Sequence, residues 1–218
     1  YADLFFEYRV GAGIAFEEGI TRSASRGVSM GVGVRVLKGD ATGYAYVEDL
    51  AWDAMRRAAE TAGRIASGGQ ASGPVAIERL GLPDRYALEV PSVDVPGLDK
   101  RALLERASRA ALALDPRIIK AEASFAEELR ELLIATSDGR MAYDIQPLLR
   151  FGVRAIAEQG KKGESGGSGG GGRMSVDYFA DKTPEWHAER AAHQALALLD
   201  ARPAPAGQME VVLAPGDS

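Results

Sequence analysis

The feature that most constrains the fold is a tight hairpin that runs directly into a helix, at residues 31–49 (GVGVRVLKGDATGYAYVED). Valine alternates with other residues along its first half, which is the period-2 pattern of a strand, and residues 38–40 supply the turn. The hairpin contains Gly31, Gly33 and Gly43. Glycine weakens a strand unless another backbone or a large side chain packs closely over it. These positions therefore predict close packing against the hairpin.

Three helices are predicted from apolar residues at intervals of three and four. The first spans residues 49–67, with Asp49 as its cap and Gly68 and Gly69 after its end. The second begins at Asp99 and ends near residue 114, and the third begins at Thr183, with proline at its first helical position. The expected apolar face of the first helix comprises Trp52, Met55, Ala59, Ala62 and Ala66.

Most of the remaining chain favours strands. Residues 1–48 predict an antiparallel meander of short strands, and residues 117–157 predict further strands around an Asp-Gly turn. Residues 160–172 hold eight glycines and no apolar side chain, so we expect a mobile hairpin tip followed by a strand at 173–179. A short strand is expected at residues 209–213. This order of elements predicts an α+β fold, a mostly antiparallel sheet with helices packed on one face.

Composition limits the function. The chain has 218 residues, a net charge of -5, no cysteine and no run of basic residues longer than two. A nucleic-acid-binding protein needs a basic surface, so we do not expect nucleic acid as a partner. No apolar run is long enough to span a bilayer, which argues against a membrane partner and favours a cytoplasmic protein. The absence of cysteine excludes disulfides and thiol catalysis within these residues.

His187 and His193 are the two histidines, six residues apart on the third helix. That spacing places them on different faces, whereas zinc-binding helices present their ligands on one face. A Ser-His-Asp triad remains geometrically open, although no Gly-x-Ser-x-Gly elbow precedes a helix. We therefore expect structural or surface roles for both histidines and no bound metal.

Two other patterns resemble functional motifs without the required context. Residues 167–172 match Gly-x-Gly-x-x-Gly, but a strand rather than a helix is expected after them, and the lysines at 161 and 162 are not followed by a phosphate-binding loop pattern. The acidic neighbours are Glu17 with Glu18, and Glu127 with Glu128 and Glu131. Adjacent strand residues point to opposite faces, so solvated carboxylates are expected there. The motifs alone identify no catalytic residue, no metal ligand and no substrate-binding residue.

A set of segments in a fixed order is more specific than any single motif. It comprises YADLFFE at residues 1–7, GVGVR at 31–35, TGYAY at 42–46, SDG at 137–139, the glycine-rich hairpin, the helix at Thr183, and VVLAPG at 211–216. Together they resemble the N-terminal domain of the TldD/PmbA family, once called modulators of DNA gyrase. The resemblance covers nearly the whole chain and is closer to the TldD branch.

This resemblance implies a cytoplasmic zinc metallopeptidase. Its members are thought to act on unfolded or short peptides in a shielded cavity, with a TldE/PmbA-like subunit, as a homo- or hetero-oligomer. Their zinc motif, His-Glu-x-x-x-His with a distant cysteine, lies after the segment that residues 211–216 resemble, so the zinc ligands are expected beyond Ser218. The alternative is a non-catalytic TldE/PmbA-like partner subunit or binding module.

The resemblance also implies a domain division. Residues 1–205 correspond to the N-terminal domain, with possible sub-units at 1–70 and 97–205, which would contribute cavity wall and subunit contacts. Residues 206–218 correspond to the start of a truncated C-terminal metallopeptidase domain.

Overall fold

A computed structural model describes residues 1–66, 73–202 and 206–212. Within these ranges the strands are β1 (Ala2–Glu17), β2 (Ile20–Lys38), β3 (Ala41–Val47), β4 (Glu78–Arg79), β5 (Ile118–Thr136), β6 (Arg140–Gln159) and β7 (Lys162–Gly172). The α-helices are α1 (Trp52–Ile65), α2 (Gly97–Leu114), α3 (Tyr178–Asp181) and α4 (Pro184–Leu199), and Ser92–Asp94 form a 3-10 turn. None of the described helices is long and apolar enough to cross a membrane.

The strands form one seven-stranded sheet in the order β3-β2-β1-β5-β6, with β7 and the short β4 both pairing β6. Every pairing is antiparallel except that of β4 with β6. The α+β prediction with a mostly antiparallel sheet is confirmed. Strands that the sequence suggested were short are continuous: β1, β2, β5 and β6 are 16, 19, 19 and 20 residues long.

The helices pack on one face of this sheet, as predicted. Leu4 packs in the cluster under α1, and Phe16 lies in the larger cluster under α2 and α4. Both residues are even-numbered on β1, which pairs with β5 without a register break, so both clusters lie on the same side. We call this side the helix face. The opposite side, which carries the odd-numbered residues of β1 and those of β2 from Ser23 onward, is called the open face.

The close packing predicted from the hairpin glycines is confirmed. A Cβ atom on Gly43 would collide with the carbonyl oxygen of Ala62 and lie 2.8 Å from the nitrogen of Ala66, because α1 touches the strand backbone. The predicted apolar face of α1 was partly wrong: Ala62 and Ala66 are buried as predicted, but Trp52 is 73% exposed and Ala59 is also exposed. The other buried residues of the helix are Ala54 and Ala58. Only small residues allow the helix to approach the sheet this closely.

Two predicted helix caps were also wrong. The residue at the N-cap of α1 is Ala51, and Asp49 instead accepts a hydrogen bond from the Ala51 N–H at 2.8 Å. Helix α2 begins two residues before Asp99, after Pro96. The prediction for α4 is confirmed, because the Thr183 side chain accepts from the Trp186 N–H at 3.1 Å. The expected stop at Gly68 and Gly69 lies outside the described residues.

The glycine-rich segment, residues 160–172, differs most from the prediction. Residues 160–161 form the turn, and the glycines after them form β7, an edge strand paired with β6. A Cβ atom on Gly166 would collide with the carbonyl oxygen of Ala191 and lie 2.5 Å from the nitrogen of Ala195, so the glycines let α4 rest on the strand backbone. Residues 173–177 form no strand and lead into α3. The mobile tip and the strand at 173–179 were therefore wrong.

The chain after α4 also differs from the prediction. Residues 209–212 form no strand, and Val212 is 95% exposed. The last residue of the predicted strand, Leu213, lies outside the described residues. No partner strand contacts residues 209–212 in the described part of the chain, so the local β-propensity has nothing to pair with.

Candidate functional site

His187 lies at the centre of a hydrogen-bonded chain that joins β7, α3 and α4. It is 0% exposed. Its Nδ1 atom lies 2.9 Å from the Ser168 hydroxyl, and its Nε2 atom lies 2.7 Å from the Tyr178 hydroxyl. Burial lowers the pKa of His187, and the nearby charges of Arg190 and Lys182 lower this pKa further. A neutral imidazole has one donor and one acceptor, so it donates to one hydroxyl and accepts from the other.

This arrangement does not fit a metal site. Both ring nitrogens of His187 are engaged by hydroxyl groups, and His193 lies exposed on a different face of α4, as the spacing predicts. The described ranges contain no group of three or more His, Cys, Asp or Glu side chains that could hold a metal ion. The residues present therefore offer a structural clamp between the edge strand and the helices.

The sequence did not indicate that Ser168 meets His187. The predicted mobile tip includes Ser168, and the contact of this residue with α4 depends on β7 pairing with β6 in one register. The third member of the chain is the Tyr178 hydroxyl, where a Ser-His-Asp triad would have a carboxylate. The open possibility of a triad at this histidine is therefore not supported by the geometry.

A buried ion pair joins helix α2 to strand β5. Lys100 Nζ on α2 lies 2.5 Å from Glu127 Oε1 on β5, and the two side chains are 5% and 2% exposed. Glu127 Oε2 has no hydrogen-bond partner among the described residues. The prediction of a solvated Glu127 was wrong, because this residue points to the helix face, beneath the first turn of α2. Its neighbour Glu128 points to the open face and pairs with Arg9.

The open face is crossed by ion pairs between neighbouring strands. These pairs are Asp3 with Arg35, Glu7 with Arg130, Glu128 with Arg9, and Glu17 with Lys120. The hydrogen bond from Lys120 is the main cause that lowers the pKa of Glu17. No helix packs on this face within the described residues, so the pairs are exposed or half-buried and each contributes little stability.

The open face also carries a cleft at the end of β3, which we call the tyrosine cleft. It is lined by Phe5, Glu7, Gly31, Tyr44, Tyr46 and Glu48, among others, and has a volume of about 450 Å³. The ring of Tyr46 lies over Gly31, where an added Cβ would be 3.1 Å from a ring carbon. The ring of Tyr44 lies over Gly33, where an added Cβ would be 2.7 Å from the hydroxyl oxygen. The Tyr46 hydroxyl donates to Glu48 Oε1 at 2.5 Å, which raises the pKa of Tyr46.

Two family models match the chain. The model described as PmbA/TldA metallopeptidase domain 1 matches residues 2–66, and the model described as PmbA/TldA metallopeptidase central domain matches residues 91–199. Together they account for the hairpin, α1, the long strands and α4.

The curated relatives point to the same family. A metalloprotease TldD homolog from Haemophilus influenzae is 35% identical over 223 residues, covering 99% of this chain and 46% of the relative. A metalloprotease TldD homolog from Buchnera aphidicola subsp. Acyrthosiphon pisum is 29% identical, with coverage of 99% and 46%. The chain thus spans about half the length of the curated relatives that it matches.

Solved structures share the fold at low sequence identity. A proposed modulator of DNA gyrase from Thermotoga maritima has a TM-score of 0.74 and 16% identity, covering 94% of this chain and 46% of that chain. TldE from Thermococcus kodakarensis has a TM-score of 0.63 and 17% identity, covering 89% and 44%. With both family models matching in order along the chain, the protein belongs to the PmbA/TldD family of metallopeptidases.

Proposed function

We propose that this chain forms the N-terminal part of a TldD-like metallopeptidase that degrades unfolded or short peptides in a shielded cavity. In this proposal the chain contributes cavity wall and subunit contacts. The observation that carries it is the open face, a broad sheet surface on which no helix packs within the described residues. Phe5, Ile134 and Leu148 lie on this face and are 38%, 37% and 43% exposed. Exposed apolar side chains on such a surface favour contact with a further domain, a second subunit or a peptide.

The catalytic metal in this proposal is zinc, held by residues that follow Ser218 in the parent protein. Two findings support that placement. The described residues do not fit a metal site, and the relatives named as metalloproteases are about twice the length of this chain. Zinc in such a site would act as a Lewis acid and activate a water molecule for attack on the peptide bond. No residue of this chain is assigned a catalytic role.

The same proposal divides the protein into domains. Residues 1–205 form the N-terminal domain, and residues 206–218 begin the C-terminal metallopeptidase domain. The strands of the two possible sub-units, 1–70 and 97–205, belong to one sheet, because β1 pairs with both β2 and β5. We propose that the complete protein works in the cytoplasm as a homo-oligomer or together with a TldE/PmbA-like subunit.

The second candidate function is a non-catalytic TldE/PmbA-like partner subunit. The fold likeness to TldE from Thermococcus kodakarensis favours it, as does the lack of a fitting metal site in the described residues. The higher identity to TldD homologs, 35% for the Haemophilus protein, favours the catalytic branch. The sequence encoded after Ser218 distinguishes the two, because only the catalytic branch should carry His-Glu-x-x-x-His.

The test is hydrolysis by the complete parent protein, alone and mixed with a TldE/PmbA-like subunit. A quenched fluorescent peptide without structure and a stably folded protein serve as the two substrates. We expect cleavage of the unfolded substrate only, loss of cleavage with a zinc chelator, and recovery when zinc is added back. A parent protein that contains the motif but cleaves neither substrate would refute the proposal. A parent protein without the motif would support the partner subunit.

A further inference from the structure

The outer edge of β2 is unpaired along more than half of its length. β3 pairs with residues 32–38 of β2 only, and in the described ranges no strand lies on the outer side of residues 20–30, the side away from β1. All of these residues are exposed. Folded proteins usually protect such an edge with lysine, proline or a covering segment. This stretch has only Arg22, which pairs with Glu17 and Glu18, and Arg26, which donates to the Val93 carbonyl at 3.1 Å. We call residues 20–30 the free edge.

The backbone direction along the free edge follows from the pairing of β2 with β1. The Leu37 N–H donates to the Tyr1 carbonyl at 2.8 Å, and the Tyr1 amino group donates to the Leu37 carbonyl at 3.1 Å. Successive residues of an antiparallel strand alternate between their two neighbours, so the odd-numbered residues of β2 from Ser23 onward bond to β1; the register shifts before Ser23. The N–H and C=O groups of Val28 and Met30 therefore face away from β1, toward the unpaired side.

The tyrosine cleft lies beside these backbone groups. β3 ends at Val47, which pairs with Val32, and the following residue, Glu48, lies beside Gly31 of β2. A strand added antiparallel to the free edge would continue the line of β3. Its residue opposite Ser29 would point to the open face, because directly opposed residues share a face. That position is two strand residues, about 7 Å, from Glu48, which is within reach of a lysine or arginine side chain.

The charge of the cleft favours a cation. The carboxylate of Glu48 accepts from the Tyr46 hydroxyl and forms no ion pair with any residue that the structure describes. The basic side chains near the cleft on the open face are already paired: Arg35 with Asp3, Arg130 with Glu7, and Arg9, which lies opposite Ser29 on β1, with Glu128. A carboxylate without an ion-pair partner beside the Tyr46 ring is the chemistry that recognises an ammonium or guanidinium group.

We infer that the free edge of β2 binds an extended peptide as an added antiparallel strand and that the tyrosine cleft receives a lysine or arginine side chain of that peptide. This inference rests on the proposed function and names its substrate class, extended peptides with a basic residue. The backbone contacts hold any extended sequence, whereas Glu48 and the Tyr46 ring select the basic residue.

The test measures binding of a fluorescein-labelled peptide of alternating threonine and valine with one central arginine. A second peptide has norleucine at the arginine position, and a third carries N-methyl groups on alternate backbone amides. Fluorescence anisotropy with this chain should show tighter binding of the arginine peptide than of the norleucine peptide by about 3- to 10-fold. The N-methylated peptide should bind to neither the wild type nor the variants.

Three variants separate the two contacts. Glu48→Gln should remove the preference for arginine, while Asp40→Asn, an exposed carboxylate at the other end of the same hairpin, should keep it. Met30→Pro removes an N–H that faces outward and leaves the pairing with β1, so it should weaken both unmethylated peptides equally. Circular dichroism checks that Met30→Pro folds, and the N-methylated peptide tests the same contact without any mutation.

Equal binding of the arginine and norleucine peptides, or full binding of the N-methylated peptide, would overturn the inference. The chain could instead form a dimer that Met30→Pro abolishes and bind no peptide. That result would assign the free edge to a second copy of the chain and would also overturn the inference. Cleavage of peptides by the parent protein without binding to this chain refutes this inference alone. Binding without any cleavage leaves it standing and refutes the proposed function.

Discussion

Replacing Gly166 by alanine tests whether the glycines of β7 serve to bring α4 onto the strand. The added Cβ would lie 2.5 Å from the nitrogen of Ala195 and 2.8 Å from the Cβ of Gln194, and it would be closer still to the carbonyl oxygen of Ala191. Ordinary contacts of this kind are 3.4–4 Å. Since two of the three atoms belong to the helix backbone, no side-chain rotation relieves the collision, and α4 must move away from the sheet.

The cost of this movement follows from the packing around α4. Its alanines at 188, 191, 192 and 195 are all 0% exposed, so a shift of the helix opens contacts along its whole buried side. Overpacking of a close-packed interior costs about 1–3 kcal/mol, and we expect a value near 3 kcal/mol because backbone is involved. For a chain of this size that corresponds to a melting temperature lower by about 6–12 °C.

Gly167→Ala is the matched control, with the same substitution one residue away. Its added Cβ points to the open face, where its nearest neighbour is the Val153 carbonyl at 3.8 Å, and its backbone φ is not in the left-handed region. Reduced freedom of the unfolded chain should make this variant neutral or about 0.4–1 kcal/mol more stable. Urea denaturation followed by circular dichroism gives both free energies. If the two variants agree within about 0.5 kcal/mol, α4 does not rest on β7 and the glycine segment is mobile after all.

Two further predictions concern buried ionisable groups. Because the pKa of His187 is lower in the folded chain, the unfolded chain binds more protons below pH 6.5, so the free energy of unfolding should fall as the pH decreases below that value. The His187→Gln variant should therefore show a weaker dependence of the urea midpoint on pH between about pH 5 and 7 than the wild type. An unchanged slope would contradict this prediction. Lys100→Met should destabilise the chain by about 3–5 kcal/mol because it leaves Glu127 charged and buried, whereas the double variant Lys100→Met/Glu127→Leu should recover most of the loss. Equal losses in the single and double variants would show that the charge pair does not determine the cost.

The parts of the fold that were predicted correctly are those set by local sequence. The hairpin at residues 31–47 carries strand alternation and a glycine turn, and Thr183 with Pro184 marks the start of α4 by side-chain and backbone chemistry alone. The need for close packing at Gly43 was also visible, because a glycine inside a strand has few other reasons to be there.

The errors arise where a neighbour distant in sequence decides the outcome. The composition of the glycine segment indicates mobility, but β6 supplies hydrogen bonds and the alanines of α4 supply contact, so the segment forms β7. In α1, the residue spacing predicts Trp52 on the apolar face, but the helix lies so close to the sheet that its buried residues are alanines. Alternation placed Glu127 and Glu128 on opposite faces but did not show which face the helices cover.

The contacts of the candidate site also depend on residues that are distant in the sequence. The contact of His187 with Ser168 requires the register of β7, which local pattern does not give. The tyrosine cleft has a signal in the sequence. Gly31 and Gly33 lie diagonally across the strand pair from Tyr46 and Tyr44, where the small residues leave room for the rings.

The central claim is that this chain supplies sheet surface while the metal ligands lie elsewhere in the protein. Metal analysis of the dialysed chain beside the dialysed complete protein tests this most directly. We expect far less than one zinc ion per chain, and about one chelator-sensitive zinc ion per complete protein. A stoichiometric, chelator-sensitive zinc ion in the chain itself would contradict the claim and would make His187 and His193 candidate ligands again.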